Sequence, residues 1–189
     1  MQAKPRVILL LGAPGSGKGT QGKLIEEDYG YMHLSMGDLM RKAKAHSVNI
    51  YNKELSTENK TNLTHEFSIN FLINAMRENP VGKYVIDGFH RKFDEFDDLF
   101  FNSIDVIAVI HLKPSNLRIL EERIKDRFSK GNISDSFREY DLEAMERRLK
   151  TYETETVPFV VEYFRGRSEI FEVNCDDNVD EVHKHIGDI

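Results

Sequence analysis

An unbroken apolar run, Val7 to Leu11, passes straight into Gly12-Ala13-Pro14-Gly15-Ser16-Gly17-Lys18-Gly19-Thr20, and a helical pattern with Leu24 and Ile25 follows at once. Consecutive apolar residues suit a strand covered on both faces. Glycines let the chain turn tightly and bring its backbone close to a ligand. Successive N–H groups and the start of the next helix then converge on one point, which makes an anion site. The spacing from Gly12 to Gly17-Lys18 is that of a phosphate-binding loop, in which Lys18 supplies a compact positive charge to the terminal phosphates. Gly15 to Thr20 are the residues this reading sets against phosphate. The hydroxyl that usually follows the lysine and ligates Mg²⁺ is displaced by one position, since Gly19 intervenes before Thr20.

The rest of the chain repeats the alternation. Tyr84-Val85-Ile86, Val106 to Ile110 and Ile170 to Val173 read as further buried strands, and His33-Leu34 as a short fifth. Leu117, Leu120, Ile124 and Phe128 share one helical face, as do Leu142, Met145, Leu149 and Tyr152. Val179, Val182, His183 and Ile186 form a terminal stripe, with Asp177 or Asn178 as its N-cap. Strands alternating with helices predict an α/β fold, a three-layer doubly wound parallel sheet of about five strands. Pro158, inside a long helical pattern, predicts a kink or a restart there.

Two segments leave the alternation. The stretch from Lys42 to Asn79 has helical patterns and no convincing strand, and Ser129 to Asp141 is polar and turn-rich. The expected organisation is one domain over residues 1–189. Its core covers about 1–35, 80–128 and 142–189, with a helical insertion over about 36–79 and a short lid over about 129–141.

Composition narrows the function classes. The 189 residues carry a net charge of -6, which disfavours a nucleic-acid or anionic-membrane surface. The single cysteine, Cys175, excludes an intramolecular disulfide and a cysteine-based zinc site, and it fits a reducing compartment. Val7 to Leu11 is too short for a signal-peptide core or a membrane span. The expectation is a cytoplasmic monomer, with the nucleus also open, that engages neither nucleic acid nor membrane. The histidines offer no metal constellation. Asp87, after the strand Tyr84–Ile86, is either the carboxylate that holds Mg²⁺ through water or a turn former before Gly88.

Three marks carry a resemblance. They are Gly12 to Gln21, the segment Tyr29-Gly30-Tyr31-Met32-His33-Leu34-Ser35-Met36-Gly37-Asp38-Leu39-Met40-Arg41, and Asp87-Gly88-Phe89-His90-Arg91. In order and separation they resemble the adenylate kinase and UMP-CMP kinase group of nucleoside monophosphate kinases, over about Val7 to Ile186. The resemblance implies ATP as donor, with Mg²⁺, and a nucleoside monophosphate as acceptor. It implies that Arg41 and Arg91 grip the acceptor's phosphate, where a guanidinium fork suits a doubly charged group. It implies that Arg123 packs on the donor base and that Arg127 contacts phosphates, with Arg138 and Arg148 joining from beyond the lid. The catalytic set it implies is Lys18, Arg91, Arg127, Arg138 and Arg148: fixed positive charge around the transferring oxygens. The acceptor pocket it implies comprises Ser35, Met36, Arg41, Asn62, Leu63, Gly88, Phe89, Arg91 and Glu95.

The departures fall in that pocket and in the lid. Met36 stands where the group has Thr, Ala or Ser, and Asn62-Leu63-Thr64-His65-Glu66 replaces Ile/Leu-Val-Pro-x-Glu. His90 replaces proline, Glu95 stands where Gln or Asn is usual, and Phe137-Arg138-Glu139-Tyr140-Asp141 replaces Gly-Arg-x-Asp-Asp. A bulky Met36 shrinks the pocket toward a pyrimidine, which leans the expectation to UMP and CMP. The Gly-Ala-Pro-Gly opening leans to AMP. A nucleotide-binding homologue with impaired catalysis is a further alternative.

Overall fold

The apolar run becomes the middle strand of a sheet. The computed structural model describes residues 4–39, 42, 60–88, 101–129 and 148–189, with side chains for all of these except 60–68 and 127–129. In it, β1 (Arg6–Gly12) lies between β3 (Lys83–Asp87) and β4 (Asp105–Lys113), flanked by β2 (Met32–Ser35) and β5 (Glu169–Asn174). The order is β2-β3-β1-β4-β5 and every pairing is parallel. Each strand expected from an apolar run is present and extends beyond it. Several of the extensions are polar (Lys83, Asp87, Asp105, Lys113) because backbone pairing continues to the rims, where side chains meet water or a site.

Topology positions the site. The chain crosses from β1 to β2 in one direction and from β2 through β5 in the other. Right-handed crossovers therefore put α1 (Lys18–Tyr29) on one face and α2 (Lys60–Glu78), α3 (Leu117–Ser129) and α4 (Val157–Phe164) on the other. The terminal helix α5 (Val179–Gly187) returns to α1. The direction reverses between β1 and β3, and such a switch point opens a crevice at the carboxyl ends of the strands.

The core fits the sequence stripes. Val7, Leu9, Leu10 and Leu11 are buried, as are Leu120, Leu149, Tyr152, Val182 and Ile186. Val179 departs from its stripe: it is 47% exposed, because it opens α5 and contributes its carbonyl rather than its side chain. Asn178 is the cap of that helix, its Oδ1 accepting from the N–H groups of Asp180 and Glu181 at 3.1 and 3.0 Å. Cys175 is buried and free, and it fills the core.

Pro158 acts by widening the helix ahead of it. Residues 148–151 are helical, Tyr152–Thr156 form a π-helical turn, and α4 begins at Val157 with the proline in its first turn. Proline lacks the N–H for the carbonyl four residues back, and its ring crowds that carbonyl. A turn bonded to the fifth residue relieves the crowding without ending the helix. Leu142, Met145 and most of the expected lid lie outside the described residues.

Candidate active site

The loop after β1 has the shape its glycines permit. Gly15 and Gly17 adopt φ of 85° and 92°, a region L side chains avoid. Gly17 is the N-cap of α1, and Lys18 is that helix's first residue. The loop is pressed against α3: a Cβ at Gly15 would lie 3.0 Å from the Leu120 carbonyl and 3.1 Å from Ile124 Cγ1. A Cβ at Gly12 would collide with Ser16 Oγ. That hydroxyl is buried and has no hydrogen-bond partner among the described residues. An orphaned buried hydroxyl in a glycine loop at the start of a helix is a place for ligand oxygen.

Lys18 closes the loop from inside. Its Nζ donates to the carbonyl oxygens of Gly12 and Ala13 at 2.6 and 2.9 Å. Burial lowers its pKa to about 8, partly offset by the carboxylate of Asp87. A polyphosphate at the loop favours the charged ammonium and raises that pKa, so binding at pH 8 takes up about half a proton, and binding at pH 6 takes up none through this group. Calorimetric titration of ATP in two buffers of different ionisation enthalpy measures the uptake, and Lys18→Met removes it. The same binding heat in both buffers at pH 8 would refute the depressed pKa.

Across the switch point stands Asp87, in register with Leu10 of β1. It is buried and accepts from His33 Nε2 at 2.7 Å and from Ser35 Oγ at 3.4 Å. A Cβ at Gly19 would lie 3.8 Å from its Oδ2, so the carboxylate faces the first turn of α1. His33 occupies space that only glycine leaves, since a Cβ at Gly22 would collide with the imidazole. The His33 backbone N–H also donates to Glu26 Oε1 at 3.1 Å. Composition and spacing missed His33. The signal was there in the alternation: His33 and Ser35 share a face of β2, and Ser35 pairs with Asp87.

Asp87 fits a hard cation. It is an oxygen donor aimed at the phosphate loop, and no group of three or more acidic, His or Cys side chains forms a cage among the described residues. Mg²⁺ is commonly held this way, by one or two carboxylates together with substrate phosphates. Thr20 is exposed on α1 beside Gly19.

The other expected residues fall as follows. Ser35 accepts from the Asp38 N–H at 3.4 Å, and Met36 is buried with its Cβ 3.9 Å from where a Gly88 Cβ would stand. Gly88 has φ of 71°, which accounts for glycine after Asp87. Arg123 donates from Nη1 to Cys175 O at 2.6 Å and from Nη2 to Asp176 O and Asp177 O at 2.9 and 3.3 Å. Its guanidinium is thereby locked on the loop after β5, beyond the rim of the sheet. Arg148 is exposed at the start of the helical run 148–151. Asn62 and Leu63 lie in α2 and Arg127 in α3, where their side chains are outside the described set. Arg41, Phe89, Arg91, Glu95 and Arg138 lie outside the described residues altogether.

Comparison with known proteins agrees with this geometry. A family model described as adenylate kinase matches residues 10–169. The chain is 30% identical to the uridylate kinase of Saccharomyces cerevisiae over 188 residues, covering 96% of this chain and 89% of that protein. It is 29% identical to the UMP-CMP kinase of Danio rerio and 30% identical to that of Homo sapiens, covering 98% of this chain and 97% of each relative.

Proposed function

The chain belongs to the adenylate kinase family, and on that premise we propose that it transfers the γ-phosphoryl group of ATP to a nucleoside monophosphate, with UMP and CMP the preferred acceptors. The observation that carries the reading is the convergence at the switch point. A buried lysine and an orphaned hydroxyl line one side, and a buried carboxylate from the neighbouring strand faces them.

The chemistry asks little covalent work of the protein. Loop N–H groups from Gly15 to Thr20 cradle the donor's phosphates, and Lys18 follows the charge as it moves onto the transferring oxygens. Arg127, Arg138 and Arg148 add fixed charge from the lid side, and Arg123 borders the donor base. Arg41 and Arg91 fork the acceptor's phosphate, while Ser35, Met36, Asn62, Leu63, Gly88, Phe89 and Glu95 border the acceptor. Asp87 would hold Mg²⁺ through water, with Thr20 nearby. Bound with ATP, that ion neutralises charge on the β- and γ-phosphates. The helical insertion and the lid close over both nucleotides, because water in the site would hydrolyse ATP.

The pyrimidine preference rests on Met36, which is buried with its Cβ beside Gly88, where a smaller residue would leave more room for a purine. The names of the relatives support it. A second reading, AMP as acceptor, is favoured by the Gly-Ala-Pro-Gly opening of the loop. Among the described residues no helix is long and apolar enough to cross a membrane. A monomer acting in the cytoplasm or nucleus completes the proposal, and the single free cysteine fits the reducing compartment.

A coupled assay of ADP release across AMP, UMP, CMP, dCMP and GMP tests the reading. The expected ranking in kcat/KM puts UMP and CMP at least tenfold above AMP, the size of discrimination a misfitted apolar wall supplies. A reversed ranking moves the acceptor to AMP. ATP binding without turnover on any acceptor refutes phosphoryl transfer.

A further inference from the structure

His111 and Tyr152 lie outside the loop, the acceptor pocket and the lid. His111 is 3% exposed near the end of β4, and its Nε2 is hydrogen-bonded to the Tyr152 hydroxyl. Burial lowers the histidine's pKa and raises the tyrosine's, so both stay neutral around pH 7. The carboxylate of Glu172, in register on β5, stands 3.8 Å from Nδ1 and is itself held by Lys113 Nζ at 2.9 Å. That neighbour favours hydrogen on Nδ1, which leaves Nε2 to accept from the tyrosine O–H.

The bond ties two parts that matter to the reaction. His111 pairs with Leu11, the residue before Gly12, so it sits one strand over from the root of the phosphate loop. Tyr152 lies one helical turn after Arg148. The helix descends from there toward the opposite rim, where Phe164 meets Phe101 edge-on at 5.2 Å, just before β4 begins. Arg148 therefore stands about 6 Å nearer than Tyr152 to the rim that carries the loop.

The π-helical turn makes this contact possible. On an uninterrupted ladder of 3.6 residues per turn, Tyr152 would sit roughly 80° around the helix from Val160. The wider turn Tyr152–Thr156 winds less per residue and removes most of that offset, so Tyr152, Val160 and Phe164 are all buried against the sheet side. A cleft of about 510 Å³ runs beside the pair, lined also by Lys113, Ser115, Asn116 and Glu153.

We infer that the His111–Tyr152 hydrogen bond is a strut that positions Arg148 over the phosphate loop. The inference rests on the phosphoryl-transfer reading, in which Arg148 touches the transferring group. His111 and Tyr152 are positioning residues, since they act only through that arginine.

A mutant cycle tests it on the full-length protein. Tyr152→Phe and His111→Leu each lower kcat about tenfold, within the range that small misplacements cost, with KM for ATP within twofold of wild type. His111→Gln, whose side-chain carbonyl can still accept, restores most of the loss. In an Arg148→Ala background, Tyr152→Phe costs less than about twofold, because the strut has nothing left to position. Melting curves and ATP binding accompany each variant, and the glutamine variant carries the test should leucine unfold the chain. An undiminished tenfold loss in the Arg148→Ala background overturns the strut, as does an Arg148→Ala variant with wild-type kcat. A wild-type protein with no turnover on any monophosphate refutes the phosphoryl-transfer reading instead, and so is told apart.

Discussion

Lys18→Met lowers kcat for phosphoryl transfer by about a thousandfold while the fold survives. The size follows from what the ammonium does in a water-poor site. Removing one fixed donor at a developing charge costs about 10²–10³ in rate, and Lys18 is a full charge rather than a neutral donor. Survival of the fold follows from the state of the lysine before substrate arrives. Its ammonium is buried at a cost large enough to lower its pKa to about 8. Methionine gives up the two bonds to Gly12 O and Ala13 O, yet it also removes that desolvated charge. The two changes oppose each other, so the melting midpoint moves by only a few degrees. Single-turnover kinetics and thermal melts check both halves. A variant that keeps a tenth of the wild-type kcat would exclude Lys18 from the chemistry.

The second large effect separates two roles of one carboxylate. Asp87→Asn keeps the shape and one oxygen, which still accepts from His33 Nε2, while its NH₂ takes the side toward Ser35 Oγ, a hydroxyl that can accept; the charge is lost. Its melting midpoint stays near wild type, whereas kcat falls about a hundredfold and the Mg²⁺ concentration for half-maximal rate rises, since a neutral amide is a poor partner for a hard cation. Asp87→Ala also strands the His33 ring nitrogen, on a side chain only 6% exposed, and it costs about 1–3 kcal/mol of stability. Chemical denaturation distinguishes the two variants, and a Mg²⁺ titration of turnover measures the functional loss. An Asn variant with the wild-type Mg²⁺ dependence would confine Asp87 to a structural role.

The phosphate loop was legible because all its parts are adjacent. Strand, glycines, lysine and helix start follow one another within a dozen positions, so pattern and chemistry coincide. The strands were legible because both faces of a parallel sheet are covered, and their apolar runs are continuous. Arg123 was assigned to a donor base through resemblance. What holds it is three carbonyls after β5, and that depends on where β5 stops relative to α3. Val179 read as core by periodicity and turned outward, because a first-turn position faces the end of its helix rather than the sheet.

The pairing His33–Asp87 showed in the sequence only as a strand face that His33 shares with Ser35, and His111–Tyr152 not at all. Their partners are 54 and 41 positions apart, and each meets only through strand register or through the helix widening that Pro158 enforces. By itself, then, the order of residues determined the sheet's alternation, the anion-binding loop and the kind of charge the reaction uses. Only the folded chain decided which distant side chains meet. Local patterns repeat every two or 3.6 residues and can be read along the chain, whereas a long-range contact exists only once register and crossover have brought two distant positions within hydrogen-bond reach.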